Sequence, residues 1–304
     1  MKIGQLIAGV QFTVKHAVDR YFIQDRRQRL WAKKQVPFVH KNADGLKFQL
    51  HPPEFVDQYI YQHGYYEHRF LKIFTNRFPE GAIALDIGAN IGNHAICLAN
   101  SFREIHAFEP NPRVLSRLMT NINLNEIKNV VVHDVGLGKK SSVILFRENN
   151  NGNLGASGFI KASDDPDPLS TLLELKIEHA DVYISELKLP RIDFIKIDVE
   201  GWEPDLFEGM TNTIKRYRPI IAFEFHGQTA EDGDYDLIIS KLPNYIIVEP
   251  KFVEDNSNVL AKILWDVRRM GNATFLPIGR PECRTYENIL AFPDEASLIA
   301  FSQH

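Results

Sequence analysis

One stretch constrains this chain more than any other: Ile83-Ala84-Leu85-Asp86-Ile87-Gly88-Ala89-Asn90-Ile91-Gly92. Apolar residues run into an aspartate, then into two glycines with only small or neutral residues between them. The run up to Asp86 reads as a short buried strand with a sharp turn at its end. Asn93 to Ala99 then reads as the opening of a helix. Strand, Gly-rich turn and helix is how an α/β sheet offers backbone N–H groups to a nucleotide-like ligand. Glycines are expected there because a Cβ would keep the ligand from the backbone.

The same rhythm repeats along the chain. Strands are expected at Glu104–Phe108, Val130–His133, Phe194–Ile197, Ile220–Phe225, Tyr245–Val248 and Glu287–Phe292. Helices fall between most of them: from Pro112 to about Asn123, from about Pro204 to Tyr217, over Tyr235–Leu242, over residues 256–270 and over Asp294–Ser302. A helical stretch from His68 to Phe78 precedes the first strand. Alternation of this kind predicts an α/β, doubly wound, mainly parallel sheet with helices on both faces. At 304 residues the chain has room for one large core with terminal additions. We divide it into an N-terminal extension, 1–63, and a main domain, 64–304.

Net charge is −4, which argues against a nucleic-acid binder. Cys97 and Cys283 lie far apart and lack metal-ligand spacing, so a reducing, cytoplasmic setting is expected. Cys97 sits in an apolar helical pattern and reads as core. Ile3, Leu6, Ile7, Val10, Val14 and Val18 recur at helical spacing, and Arg20, Arg26, Arg27, Arg29, Lys33 and Lys34 follow. Such a helix could touch an anionic membrane surface. The preferred reading is a helix packed on the core with a solvated basic tail.

Acidic residues end successive strands: Asp86, Glu109, Asp134, Asp198 and Glu224. In an open α/β sheet the ligand binds outside the carboxyl ends of the strands. Glu109 follows the Gly turn at the distance where an acid grips the ribose hydroxyls of an adenosine. Nicotinamide dinucleotides and S-adenosylmethionine both carry that ribose. The turn separates them, because the dinucleotide fingerprint is G-x-G-x-x-G and this chain has Asp86-x-Gly88-x-x-x-Gly92. Asp86 would repel a pyrophosphate and would suit a phosphate-free ligand with an ammonium group.

Asp86-Ile-Gly-Ala-Asn-Ile-Gly-Asn93, Ala107-Phe-Glu-Pro-Asn-Pro112, Asn121-Ile-Asn-Leu-Asn125, Phe194-Ile-Lys-Ile-Asp-Val-Glu-Gly201 and Arg218-Pro-Ile-Ile-Ala-Phe-Glu224 closely resemble the FkbM family of S-adenosylmethionine-dependent methyltransferases. The resemblance covers about residues 64–250. Glu287-Asn-Ile-Leu-Ala-Phe-Pro293 is similar to that family's last strand. The resemblance implies a class I methyltransferase fold with a seven-stranded, Rossmann-like sheet whose last strand runs antiparallel. It also implies methyl transfer, most often to a hydroxyl oxygen.

By that resemblance the turn Asp86, Gly88, Ala89, Asn90, Gly92 and Asn93 would hold the methionine part of S-adenosyl-L-methionine. Glu109, with Pro110, would hold the ribose. Asp134 would meet the adenine amino group and Val135 would pack on the ring; Asp134 as a turn former before Gly136 is the other reading. Asn111 reads as a helix cap. Asp198 and Glu200 are the candidates for base or positioner. Glu200 could instead cap the helix starting near Trp202. His226 is a second candidate base. Two adjacent carboxylates bring no further metal ligands with them, so no metal is expected.

Gly64-Tyr-Tyr-Glu67 matches a segment of that family expected to cover the cofactor, where Tyr66 could stack on a ligand or simply pack. Ser157, in the Gly/Asn-rich stretch Asn149–Gly158, matches a serine common in the family. The expected partner is a small-molecule or glycan acceptor, such as a sugar or a polyketide. Two other readings stand beside this one: a nicotinamide-dependent oxidoreductase, and a non-catalytic protein that binds an adenosyl ligand.

Overall fold

A computed structural model describes residues 27, 30–149, 158–159, 170–226, 233–252, 273–278 and 285–303. The apolar helix expected near the N-terminus, Ser157, Cys283 and the helix expected over 256–270 lie outside them.

The chain opens on a hairpin, β1 (Phe38–Lys41) and β2 (Lys47–Leu50), followed by helices α1 (Phe55–His63) and α2 (His68–Lys72). Helix α2 is shorter than expected. Asn76 takes φ 58°, a left-handed conformation that a continuing helix does not accept. Then come β3 (Ile83–Ile87), α3 (Asn93–Leu98), β4 (Glu104–Phe108), α4 (Pro112–Leu124) and β5 (Val130–His133). All five residues of β3 are buried, because parallel neighbours flank it and helices cover both faces. Helix α4 begins with proline at its first turn, and the Asn111 side chain accepts a hydrogen bond from the Arg113 N–H.

A small second sheet follows: β6 (Gly136–Gly138), β7 (Ser142–Asn149), β8 (Gly158–Phe159) and β9 (Ser170–His179), in the order β6-β9-β7-β8. Strand β9 is not expected from the sequence, although Leu173, Leu175 and Ile177 alternate with charged residues along it. Helix α5 (Ala180–Glu186) leads to β10 (Phe194–Ile197). The helix expected from Pro204 to Tyr217 is two, α6 (Glu203–Gly209) and α7 (Thr211–Tyr217). They divide at Met210, beside the point where Gly209 packs on the Gly138 carbonyl so closely that a Cβ would lie 2.1 Å from it. The chain ends with β11 (Ile220–His226), α8 (Asp234–Ser240), β12 (Ile246–Lys251), β13 (Thr274–Pro277), β14 (Thr285–Phe292) and α9 (Glu295–Ser302).

The main sheet has the order β13-β12-β14-β11-β10-β3-β4-β5. Strands β5, β4, β3, β10 and β11 are parallel, and β14 runs antiparallel to β11 and β12. Seven of these strands reproduce the expected class I arrangement, with its reversed last strand between the fifth and sixth. The eighth, β13, adds an antiparallel edge to β12.

Period-two alternation gives the sheet two faces. Ile83, Leu85, Ile87, Ile195 and Ile197 pack into one cluster, while Ala84, Phe194, Ala222 and Phe292 pack into the other with Phe74, Phe102 and Phe301. Phe48, Leu50 and Ile60 are fully buried in that second cluster. Residues 38–63, read from the sequence as an extension, therefore share the main core. Asn121 of α4 and Asn125, just past its end, make the join. Asn121 Oδ1 accepts from the Gln49 N–H at 2.7 Å while its Nδ2 donates to the Ile91 carbonyl at 2.9 Å. Asn125 accepts from the Lys47 N–H and donates to the Lys47 carbonyl.

Asn121 is fully buried and ties the hairpin, α4 and the Gly turn together. Asn121→Ala strands two backbone groups and is expected to destabilise the protein by about 2–4 kcal/mol. Urea denaturation checks this, and a loss below about 0.5 kcal/mol would show that the amide does not carry the join.

Candidate active site

A cleft opens at the carboxyl ends of β3, β4 and β10, the edge where α/β sheets bind ligands. Its floor is Ile87, Gly88, Asn90, Phe108, Glu109 and Pro110. One wall is Gly136, Leu137, Phe146, Leu175 and Ile177. Asp198, Val199, Glu200 and Trp202 also line the cleft, as do Glu54 to Asp57, Asn111, Val114 and Arg117.

The Gly turn is built differently from the sequence expectation. Gly88 takes φ 83°, and a Cβ there would fall 1.8 Å from the Asp198 carbonyl oxygen. Gly92 takes φ 88°, and its Cβ would fall 2.6 Å from Leu118 Cδ1. The glycines are needed for contact with protein rather than with ligand. Nor does the turn offer its N–H groups outward. Those of Gly88 and Ala89 donate to the Phe108 carbonyl, that of Asn90 to Glu109 Oε2, that of Ile91 to Asn90 Oδ1 and that of Gly92 to the Ala89 carbonyl. All five donors are used internally. A pyrophosphate would find none of them, which removes the physical basis of the nicotinamide-dinucleotide reading.

Two carboxylates flank this turn. Asp86 is buried; its Oδ2 accepts from the Ala95 N–H at 3.1 Å, and its Oδ1 has no hydrogen-bond partner among the described residues. Burial pushes its carboxyl above the ordinary range, with His94 and Lys196 opposing. Glu109 is oriented by two backbone donors, Asn90 N–H on Oε2 at 3.0 Å and Asn111 N–H on Oε1 at 2.9 Å. Burial outweighs those bonds and pushes Glu109 up to about 7.

The remaining residues singled out in the sequence separate into those on the cleft and those off it. Asp198 and Glu200 line it. Glu200 takes φ 53° and Gly201 φ 91°, and the Glu203 carboxylate accepts from the Val199 and Gly201 N–H groups, so this loop is pinned from below. Helix α6 starts at Glu203, with Glu203 and Asp205 as the acids of its first turn. Asn93 turns away: its amide accepts from the Tyr66 N–H and donates to the Tyr66 carbonyl, clamping the segment before α2. Ala89 is buried in the core.

Asp134 is exposed and Val135 is buried in the core, so neither lines the cleft. The chain turns outward after β5, and Gly136 and Leu137 reach the cleft instead. His226 lies at the end of β11, opposite Thr285 of β14. Its side chain is outside the described portion.

Sequence reasoning missed Lys196, Glu67 and Asn288. Lys196 is 1% exposed, and its Nζ lies 3.9 Å from each of Glu67 Oε2, Asp198 Oδ2 and Glu224 Oε1. The signal was present: a lone charge inside the apolar run Phe194–Ile197, on a strand buried on both faces.

Comparison with known proteins follows the same lines. The Methyltransferase FkbM domain pattern matches residues 86–261. This chain belongs to that family. Hexuronic acid methyltransferase AglP of Haloferax volcanii is 28% identical over 160 residues, 53% of this chain and 62% of that protein. The chain thus matches about three fifths of that relative's length. The 2-O-methyltransferase NoeI of Sinorhizobium fredii is 26% identical over 189 residues, 57% of this chain and 76% of that protein. The crystal structure of an FkbM methyltransferase from Methylobacillus flagellatus is 18% identical, with a TM-score of 0.41, covering 78% of this chain and 52% of that one.

Two glycines test the turn geometry against each other. A Cβ at Gly201 meets nothing within 4 Å, so Gly201→Ala meets only its left-handed backbone, about 1–2 kcal/mol. Gly88→Ala adds a backbone clash and should exceed that by at least about 2 kcal/mol in thermal or urea unfolding. Equal losses would mean that the turn does not press on Asp198.

Proposed function

We propose that this protein is an S-adenosylmethionine-dependent methyltransferase that methylates a hydroxyl oxygen, with a sugar-like acceptor. The observation that carries the reading is the Gly turn. Its five N–H groups are spent inside the protein, while a buried carboxylate oxygen, Asp86 Oδ1, has no hydrogen-bond partner among the described residues. That combination rejects a phosphate and favours an ammonium.

The residues present fit the cofactor. Asp86 is buried and does not line the cleft, so it would hold the cofactor's ammonium through water. Glu109 would accept both ribose hydroxyls on an already oriented carboxylate. Leu137, Phe146, Leu175 and Ile177 give an apolar wall for the adenine ring, the part expected of Asp134 and Val135. When bound, S-adenosylmethionine supplies a sulfonium methyl group that an acceptor oxygen can take, the C–S bond pair remaining on sulfur.

The chain's own part is alignment and proton transfer. Asp198 lines the cleft beside Gly88 and takes the hydroxyl proton on its carboxylate. Burial pushes that carboxyl well above the usual range; Lys196 opposes this, and Glu224, Glu200 and Glu67 reinforce it. A group so raised is a stronger base than a surface aspartate. Glu200, exposed on the rim, is placed to accept hydroxyl hydrogen bonds from an arriving polyol. The acceptor class draws its support from the relatives, whose names specify a hexuronic acid and a 2-O position.

Calorimetry with S-adenosylhomocysteine tests this. The ligand is expected to bind, and Glu109→Gln to weaken binding about 10–100-fold, as expected for charge-assisted bonds. The ionised form of Glu109 accepts both hydroxyls, and its pKa lies near 7 before binding. Affinity should therefore rise with pH up to about neutrality, by at most about tenfold per unit, with proton release on binding. Glu109→Gln should flatten that dependence. Absence of binding, or binding of NAD in its place, would overturn the reading.

A further inference from the structure

Alternation along three strands and the loops beyond them gathers charge on one face of the sheet. Lys196 of β10 stands opposite Asp86 of β3 in the ladder, and opposite Ala222 of β11. Asp198 and Glu224 lie two residues further along the same face. Asn288 reaches the same place from β14, and Glu67 arrives from the segment before α2. The face below them is aromatic: Phe194 and Phe292 share its core, and the Phe70 ring centroid is 5.8 Å from Lys196 Nζ. A single ammonium thus sits in a low-dielectric pocket surrounded by carboxylates.

The spacing of this cluster is unusual for a structural ion pair. Lys196 Nζ has no hydrogen-bond partner among the described residues. It lies 3.9 Å from three different carboxylates, beyond hydrogen-bond reach of each. A buried ion pair kept only for stability needs close, saturated geometry, and an apolar side chain of similar volume commonly does as well. Here one cation is shared among Glu67, Asp198 and Glu224, with Asp86 beyond them. The cluster holds more acidic groups than basic ones.

Its members are held to different degrees. Glu67 is locked, its Oε2 2.7 Å from His94 Nε2 and its Oε1 accepting from the Asn288 amide. Its neighbour Tyr66 is clamped by Asn93, so the segment is bolted to the helix that follows the Gly turn. Asp198 alone of the three carboxylates reaches the cleft.

We propose that Lys196 is a positioning residue for methyl transfer: its buried ammonium opposes the protonation of Asp198 and keeps that carboxyl group aimed into the cleft, and Glu67 and Glu224 hold that ammonium in place. This rests on the methyltransferase reading for its purpose, but not for its electrostatics. The acceptor's hydroxyl proton passes to Asp198, whose negative charge is thereby neutralised. Lys196 keeps its own proton throughout, because burial pulls its ammonium down while Glu67, Asp198, Glu224 and Asp86 together hold it above the ordinary lysine range. The charged and titratable groups acting on Asp198 are Lys196, Glu224, Glu200 and Glu67. Tyr66 also faces the cluster and stays neutral: burial raises its hydroxyl, and Glu67, Glu224 and Asp198 raise it further. The arrangement couples the two halves of the site, since the link from Asp198 through Lys196 and Glu67 to His94 ends on the helix of the cofactor turn.

The test is carboxylate titration in the full chain. Protein labelled with 13C at aspartate carboxyls is titrated by carbon-detected NMR, the Asp198 signal being assigned by its loss in Asp198→Asn. Lys196→Met should move the Asp198 midpoint up by at least about one pH unit. Glu67→Gln should move it down, because a neighbouring negative charge is removed. Lys196→Arg should restore the wild-type midpoint to within about half a unit. Opposite shifts from the two neutralising changes are a signature that general loosening of the fold does not produce. Midpoints unmoved by both, or moved in the same direction, would overturn the proposal.

If Lys196→Met does not fold, Glu67→Gln and Glu224→Gln decide alone, and both must lower the midpoint. Calorimetry with S-adenosylhomocysteine runs alongside. Wild type should bind it. Failure of the wild type to bind would defeat the methyltransferase reading while leaving the titration result to judge Lys196.

Discussion

The site depends on one close approach, that of the Gly88 backbone to the carbonyl of Asp198. No side chain fits between them, since a Cβ would fall 1.8 Å from that oxygen. The contact brings the ends of β3 and β10 together, and with them the turn that would hold a cofactor and the acid that would receive a proton. Distance between these two parts is set by main chain on main chain, the stiffest spacing a protein has. Glu203 pins the far side of the Asp198 loop, and Phe108 accepts two hydrogen bonds from the turn itself. The geometry is therefore prepared before any ligand arrives, which is what inline transfer requires.

Electrostatics then selects the ligand. Two αβ designs share a strand, a Gly turn and a ribose-gripping acid. One turns backbone donors outward and takes an anion. This chain folds its donors inward, onto Phe108, Glu109, Asn90 and Ala89, and leaves a buried carboxylate oxygen of Asp86 without a hydrogen-bond partner among the described residues. Two of the strand-end acids, Glu109 and Asp198, line the cleft and suit it to a cation. Lys196 answers that negative charge from within the sheet.

Much of the architecture was legible because parallel strands buried on both faces write themselves as short apolar runs. Ile83–Ile87 and Phe194–Ile197 have the bounds the sequence implied. Strand β9 escaped because it stands in a sheet with one solvated face and follows a polar stretch of sequence, so its alternation carries half the hydrophobic signal. The acids at strand ends were legible from spacing alone, Glu109 above all.

Roles were harder to read. Asn93 and Asn121 look like ligand or surface residues until the structure shows each bridging two backbone groups. Asp134 lost its place on the cleft to a turn whose direction the sequence does not encode locally. Lys196 was passed over because its meaning lies in Glu67, Asp198 and Glu224, three residues spread over 158 positions. The most direct test of the account is a crystal structure of the chain with S-adenosylhomocysteine. The account predicts ribose hydroxyls on the Glu109 carboxylate, the amino group toward Asp86 and the sulfur facing Asp198. A ligand seated away from Gly88, or a turn rearranged so that its N–H groups point at the ligand, would contradict it.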